Sequence, residues 1–220
     1  MRHTADNFVG NGGGASSSIA YIWPPMQFEQ VKPFILDKLR KELPPHLSYH
    51  SVFHVEDVFE AATMLAESEN VTGEDRTLLL TAVLFHDSGF LEGMAEHEEA
   101  SCRIASQILP RFEYSEDQIK RICGMIMATR IPQTPHNLLE EIICDADLDY
   151  LGRDDFFAIG NRLFAELRVY GIIRTQEQWD DVQIKFLETH AYFTKTAIRL
   201  RKEKKDSYLA HLKSKRGVKS

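Results

Sequence analysis

Hydrophobic residues recur at helical spacing along most of the chain. The clearest stripe has intervals of three and four residues and consists of Val55, Val58, Phe59, Ala62 and Leu65. This spacing places side chains on one face of an α-helix, whereas a half-buried strand would alternate apolar and polar residues. No run of alternating apolar residues predicts a strand. The sequence therefore predicts an all-α fold, a single-domain helical bundle with additional C-terminal helices.

Prolines mark several of the predicted helix ends. The first helix, "FEQVKPFILDKLRKEL", ends before Pro44 and Pro45, and the stretch "RIPQTPHN" (130–137) is a loop because it contains two prolines. Further helical patterns lie at about residues 97–109, 115–129, 154–169 and 175–205. The chain is therefore expected to be helical almost throughout from Phe28 onward.

The two ends of the chain differ in composition from the middle. The stretch "GNGGGASSS" (10–18) cannot bury enough apolar surface to offset the entropy lost on ordering. We predict a disordered leader over residues 1–26, a helical domain over residues 27–206 and a basic tail over residues 207–220.

Composition and length bound the protein class. A chain of 220 residues with 43% hydrophobic residues is typical of one globular domain. No apolar stretch approaches the ~20 residues that cross a bilayer, and the N-terminus lacks the residue order of a secretion signal. We therefore expect a soluble, cytoplasmic protein without a membrane span. The three cysteines form no CxxC pair, which predicts reduced core thiols rather than a disulfide framework or a zinc ribbon.

Charge is distributed unevenly. The net charge of −7 argues against nucleic acid as the main partner, but residues 199–220 alone carry +7. This basic segment either contacts an anionic surface or forms the solvated end of a last helix.

Acidic and imidazole side chains interrupt the apolar pattern in four short stretches. They are "YHSVFHVEDV" (49–58), "LFHDSG" (84–89), "EHEEAS" (96–101) and "DADLDYLG" (145–152). Burying a carboxylate beside an imidazole costs free energy unless the groups are paired or coordinate a metal. Nitrogen and oxygen ligands without a nearby cysteine suit Zn, Mn or Fe with an open coordination position, rather than a closed structural zinc site.

The order of these motifs resembles the HD superfamily of metal-dependent phosphohydrolases. A histidine is followed about 30 residues later by a His-Asp pair, and an aspartate comes about 60 residues after that. The resemblance covers roughly residues 28–167 and implies an HD-type bundle. It implies that His54, His86, Asp87 and Asp147 hold a divalent metal ion, with Asp87 also a catalytic candidate. The sequence does not distinguish Mn, Fe, Zn, Mg, Ni and Co.

Asp145 is the rival of Asp147 for the last ligand position. The two residues lie about 200° apart on a helix, so only one of them can face the site. We prefer Asp147, because relatives tend to have an Ala-Asp pair at this place, as in "ADL" here.

His50 is the candidate general acid. The stretch "YHSVFHVEDV" is similar to cyclic nucleotide phosphodiesterases, in which a histidine at this place protonates the leaving oxygen. The interval from His50 to His54 puts both on one helix face if the helix extends that far back. The alternative is a first-turn histidine bonded to the backbone.

Three further residues are candidates for contact with substrate. His97 and Glu98 follow the His-Asp pair where two-metal relatives have another histidine. Such relatives also use a histidine near the end of the following helix, where this chain has "MATR" (127–130), and this difference favours a single metal. Arg130 is either a bidentate donor to a substrate phosphate, with a catalytic role, or an exposed cation that complements a helix end.

The resemblance predicts a phosphohydrolase acting on a nucleotide or another small phosphorylated metabolite. No P-loop, GxGxxG or GxSxG motif indicates a kinase, a dehydrogenase or a serine hydrolase. Two alternatives stay open. One is a regulatory module that binds metal and nucleotide without turnover, and the other is a di-iron oxygenase, which needs more histidine ligands. The sequence also leaves a homo-oligomer open.

Overall fold

The computed structural model describes residues 26–217, and the regular structure in this range is helical, without strands. The α-helices of this range are α1 (Phe28–Glu42), α2 (Val52–Ser68), α3 (Gly73–Phe85), α4 (His97–Ile108), α5 (Glu116–Ala128), α6 (Leu138–Asp147), α7 (Phe156–Val169), α8 (Gln176–Thr189) and α9 (Lys195–Lys215). Short 3₁₀ helices follow α3, α4 and α6, at Ser88–Leu91, Leu109–Phe112 and Asp149–Gly152. The all-α prediction is confirmed.

Helix α3 lies at the centre of the core. Residues 78–85 of α3 are all buried, including Thr81. Helix α2 packs on α3 and α6, and α5 packs on α3, α4 and α6. A helix that is apolar on all sides belongs in the interior of a domain, where other helices cover every face. The end of α3, from which His86 and Asp87 follow, is therefore inside the molecule.

Local capping fixes where α6 begins. The Asn137 side chain accepts the backbone N–H groups of Leu139 and Glu140, at 3.1 and 3.2 Å. Such a cap satisfies donors that have no partner within the helix. Helix α6 then ends at Asp147, which lies beside α2 and α3.

The segment predicted as one helix over residues 175–205 forms two helices, α8 and α9. The chain between them is held by Asp145 in α6, whose carboxylate accepts the N–H groups of Phe193 at 2.9 Å and Thr194 at 2.8 Å. The Thr194 side chain then caps α9 by accepting the N–H of Ala197 at 3.1 Å. The prediction of one continuous helix was wrong because neither glycine nor proline marks the break in the sequence. The break depends instead on a hydrogen-bond acceptor far away in the chain, the carboxylate of Asp145.

Helix α9 extends to Lys215, so most of the segment predicted as a basic tail is helical. Its cations pair with acids of α8: Lys213 with Glu188 at 2.7 Å and Lys215 with Asp180 at 2.9 Å. These pairs favour the helix end over an anionic surface as the explanation of the charge. The predicted leader lies outside the described residues except for Met26, and the division into leader, domain and tail stays a prediction. No helix within residues 26–217 is long and apolar enough to span a membrane.

Candidate metal centre

Side chains from α2, α3 and α6 converge at one point in the interior. His54 lies in α2, His86 directly follows α3, and Asp147 is the last residue of α6. One donor atom from each of the three lies within 4.8 Å of the others. His54 Nε2 is 3.1 Å from Asp147 Oδ1 and 3.4 Å from His86 Nε2. The structure thus brings together three of the four residues predicted to be ligands.

Asp87, the fourth predicted ligand, points its Oδ2 at the same two imidazoles. This oxygen lies 3.4 Å from His54 Nε2 and 3.3 Å from His86 Nε2. It is buried, and it has no hydrogen-bond partner among the described residues. An unsatisfied buried carboxylate oxygen is costly, and a divalent cation would compensate it. The two nitrogen and two oxygen donors therefore fit such an ion.

Neighbouring backbone groups fix the orientation of the His-Asp pair. His86 Nδ1 donates to the carbonyl oxygen of Val83 at 2.8 Å, which leaves Nε2 as the ligand nitrogen. The Ser101 hydroxyl donates to the carbonyl of His86 at 2.6 Å and accepts the N–H of Gly89 at 2.8 Å. A Cβ at Gly89 would lie 1.9 Å from the carbonyl oxygen of His97. Only glycine lets the turn after α3 approach α4 this closely.

The charges of the cluster shift its pKa values in opposite directions. Burial lowers the pKa of His86, but the carboxylates of Asp87 and Asp147 raise it well above the usual range. Burial raises the pKa of Asp147, but hydrogen bonds and charge from His54 and His86 lower it to about 2. The pKa of Asp87 is lowered for the same reason, chiefly by His86. Both carboxylates are therefore ionised at neutral pH, the form in which they bind cations.

Asp145 has a different environment from Asp147. It is fully buried, and its two oxygens accept the N–H groups of Phe193 and Thr194. Burial raises its pKa to about 6. Asp147 thus lies in the cluster, whereas both oxygens of Asp145 bind the backbone at the break between α8 and α9. This arrangement supports Asp147 over Asp145 as the candidate ligand.

The predicted general acid, His50, lies before α2 rather than within it. Because α2 begins at Val52, the helix does not extend back to His50, and the i, i+4 spacing does not place His50 and His54 on one helix face. Another contact holds the His50 ring: its Nδ1 forms a short hydrogen bond with Oε1 of Glu166 in α7. The other carboxylate oxygen of Glu166 accepts the N–H groups of Tyr49 at 2.8 Å and His50 at 3.1 Å. The ring is therefore held by a side chain rather than by the backbone.

Phe90 contacts the rings of both His50 and His97. Its ring is stacked on His50 with 4.0 Å between centroids, and it lies 4.4 Å from the ring of His97. His97 Nε2 is 3.6 Å from Oδ1 of Asp87. The structure therefore brings His97 to the edge of the cluster.

Arg130 and Glu98 lie on the α4 side of the site and are paired with each other. The Arg130 guanidinium contacts the carboxylate of Glu99 directly and lies 3.5 Å from Glu98 Oε2. Glu98 is buried, with Oε1 3.4 Å from His97 Nε2, whereas the Arg130 side chain is 42% exposed. Its contacts are thus interhelical ion pairs, and contact of Arg130, His97 or Glu98 with substrate stays a prediction.

Glu166, Tyr49 and Phe90 belong to the site but were missed from the sequence. The Tyr49 ring lies 4.7 Å from the rings of both His50 and His54. Glu166 is fully buried, and an acid within the apolar pattern "LFAELRV" (163–169) was a usable signal. Tyr49 and Phe90 gave no such signal in the sequence, since aromatic side chains are ordinary core residues.

A cavity of about 220 Å³ adjoins the cluster on the α2 side. His54, Tyr49 and Phe53 line one wall, and Arg153 and Arg162 line another. Arg153 is paired with Asp57 at 2.8 Å and with Asp155 at 2.6 Å. This cavity offers cations and an aromatic surface next to a candidate ligand residue.

The structure is thus a helical bundle in which two histidines and two aspartates form a candidate metal-binding site in the interior. The family model of the HD domain matches residues 52–149. The match includes all four predicted ligand residues. No curated protein gave a match to the chain.

Solved structures share the fold at low sequence identity. A predicted HD superfamily hydrolase from an uncultured Thermotogales bacterium is 20% identical, with a TM-score of 0.58 over 83% of this chain and 89% of that one. A protein from Lactobacillus plantarum is 18% identical, with a TM-score of 0.62 over 88% of this chain and 100% of that one. The likeness extends beyond residues 52–149 to most of the helical bundle.

Proposed function

We propose that the protein is a metal-dependent phosphohydrolase that acts on a nucleotide or another small phosphorylated metabolite. The observation that carries the proposal is the orphaned, buried Oδ2 of Asp87 among two imidazoles and a second carboxylate. The HD domain match supports hydrolysis, as does the fold shared with a predicted HD superfamily hydrolase.

In this proposal His54, His86, Asp87 and Asp147 hold the divalent ion. When bound, such an ion polarises a phosphoryl group and lowers the pKa of coordinated water. The hydrogen bond from His86 Nδ1 to Val83 keeps the ligand nitrogen directed at the cluster. Ionised Asp87 and Asp147 supply the negative charge that a divalent ion requires.

His50 is the proposed general acid. Its Nδ1 is occupied by the hydrogen bond to Glu166, so Nε2 is the nitrogen available to protonate a leaving oxygen. Stacking on Phe90 fixes the plane of the ring, and Glu166 fixes its rotation within that plane. An acid held in one orientation transfers a proton without first losing side-chain freedom.

Cations at the edge of the site are the proposed contacts of the substrate phosphate. Arg130 reaches the site from the end of α5, and it would exchange part of its pairing with Glu99 for a phosphate. His97 and Glu98 are the other proposed substrate contacts on the α4 side of the site. The cavity lined by Arg153 and Arg162 is the candidate place for the remainder of the substrate.

Metal analysis of the purified protein, followed by a substrate screen, tests the proposal. We expect a bound divalent metal and release of phosphate or nucleoside monophosphate in a screen with Mn, Mg, Fe and Zn. The variant His86→Ala with Asp87→Ala should lack both metal and activity. If no metal gives turnover while a nucleotide still binds tightly, the protein is instead a regulatory module.

A further inference from the structure

Cys102 in α4 and Cys123 in α5 face each other across the contact between these helices. The two are 21 residues apart in sequence. Cys102 Sγ lies 3.5 Å from the carbonyl oxygen of Cys123, and Cys123 Sγ lies 3.8 Å from the carbonyl oxygen of Cys102. Because each sulfur approaches the backbone of the other residue, both side chains lie in the contact between α4 and α5. This pairing is not visible in the sequence, which contains no CxxC motif.

The surroundings of the two sulfurs suit a reactive pair rather than inert core thiols. Both residues are partly exposed, whereas Cys144, the third cysteine, is buried and donates to the carbonyl of Ala128. A hydrogen bond from Cys102 lowers the pKa of Cys123 to about 7, and Ser106 Oγ lies 3.9 Å from its sulfur. The same interaction raises the pKa of Cys102 above its usual range. The pair therefore contains one thiol that ionises readily and one that stays protonated.

We propose that Cys102 and Cys123 form an oxidation site at which a peroxide creates a reversible disulfide between α4 and α5. The Cys123 thiolate attacks one peroxide oxygen, the O–O bond breaks, and hydroxide leaves and takes up a proton to become water. Cys123 is then a sulfenic acid. The Cys102 sulfur attacks that sulfur, the S–O bond breaks, and the departing hydroxide takes the Cys102 proton. Two thiols and one peroxide thus give one disulfide and two water molecules.

The site lies on the helix pair that borders the candidate metal centre. Glu98 and Glu99, one turn before Cys102, contact Arg130, which lies two turns beyond Cys123. A disulfide would add a covalent link to a pair of helices already joined by these ion pairs. It would fix the position of the helix that begins with His97. The proposal itself rests on the two sulfurs alone and does not depend on phosphohydrolase activity.

Peroxide treatment of the reduced, full-length protein tests the site directly. After brief exposure to hydrogen peroxide, we expect the intact mass to fall by two hydrogen atoms and two of the three thiols to become unavailable for alkylation after unfolding. Tryptic mapping should give a crosslinked peptide containing Cys102 and Cys123, and dithiothreitol should restore all three thiols. The oxidised form should melt several degrees higher than the reduced form, because the bond restricts the unfolded chain.

Cysteine variants distinguish this pair from other oxidation. Cys144→Ser is the matched control and should form the same crosslink. Cys102→Ser should form none, and should instead accumulate a sulfenic acid on Cys123 that dimedone traps. A crosslink involving Cys144, or a mass loss that persists in Cys102→Ser, would overturn the assignment. So would three alkylatable thiols in treated wild-type protein, or a lower melting temperature of the crosslinked form.

Discussion

The imidazole of His50 is hydrogen-bonded to the fully buried carboxylate of Glu166, 116 residues further along the chain. The second oxygen of this carboxylate accepts two backbone N–H groups directly ahead of α2. Burial raises the pKa of Glu166, but the hydrogen bonds from His50 and the backbone outweigh it and lower the pKa below its usual value. The ionised Glu166 side chain thus holds both the backbone that leads into α2 and the ring of the proposed general acid, His50.

Replacing Glu166 by Gln should slow turnover without removing the metal. The amide retains an acceptor for the backbone but donates an N–H to His50 Nδ1, which reverses the hydrogen bond. It also removes the negative charge that balances the positively charged, proton-donating form of the ring. We expect kcat to fall at least about 10-fold for substrates with poor leaving groups, while KM changes little. Glu60→Gln, on the exposed side of α2, is the control and should behave as wild type. Equal metal content with unchanged kcat in Glu166→Gln would show that the pair is structural only.

His50→Gln should retain the metal and lose activity selectively. A general acid is needed most when the departing oxygen is basic, so alkyl phosphoesters should lose about 100-fold or more in kcat. p-Nitrophenyl esters should lose little, since their leaving oxygen departs without a proton. Steady-state kinetics on both substrate types provide the measurement, with His136→Gln as the exposed control. Equal losses on both types would indicate that His50 positions the substrate instead.

Asn substitutions at Asp147 and Asp145 should have opposite effects. Asp147→Asn removes a donor from the cluster, so stoichiometric metal should be lost while the fold is retained. Asp145→Asn keeps the metal but weakens the acceptor of the Phe193 and Thr194 N–H groups, which should lower the free energy of unfolding by about 1–3 kcal/mol. Metal analysis and urea unfolding of both variants are the measurements. The reverse pattern would show that Asp145 is the ligand.

His190 should make stability depend on pH on the acidic side of neutrality. Burial and the positive charge of Lys205 lower its pKa to about 4, although the negative charge of Asp147 opposes this shift. The unfolded chain, with an ordinary pKa of about 6.5, then binds the proton more tightly than the folded chain. The contribution of His190 to the free energy of unfolding is therefore fully present above pH ~6.5. It is lost as the pH falls toward 4.

The variant His190→Gln isolates this contribution. Its free energy of unfolding should decline less than that of wild type between pH 7 and pH 4.5, with a difference of about 1–2 kcal/mol. Urea unfolding at both values is the measurement, and His136→Gln serves as the exposed control. Parallel pH profiles of His190→Gln and wild type would contradict the assignment.

Local sequence patterns were sufficient for the fold class and for the stretches that contain the proposed ligands, and the resemblance to the HD superfamily supplied the ligand set itself. The stripe from Val55 to Leu65 predicted α2 because a helix brings residues three and four apart onto one face. His54, His86 and Asp87 stood out because charged or polar groups within a buried apolar pattern need compensation. The helix and the unusual polar positions required only neighbours along the chain, and the HD domain match covers the residues on which they were based.

Contacts between helices decided the rest. The break between α8 and α9 depends on Asp145, some 48 residues earlier, and the orientation of His50 depends on Glu166. Cys102 and Cys123 meet because α4 and α5 pack together, although neither cysteine lies in a recognisable motif. The hydrophobic periodicity of a helix predicts which of its faces is buried, but it does not predict which residue of another helix lies opposite that face. That choice is made by the packing of the whole chain, which is why only the tertiary structure identified these partners.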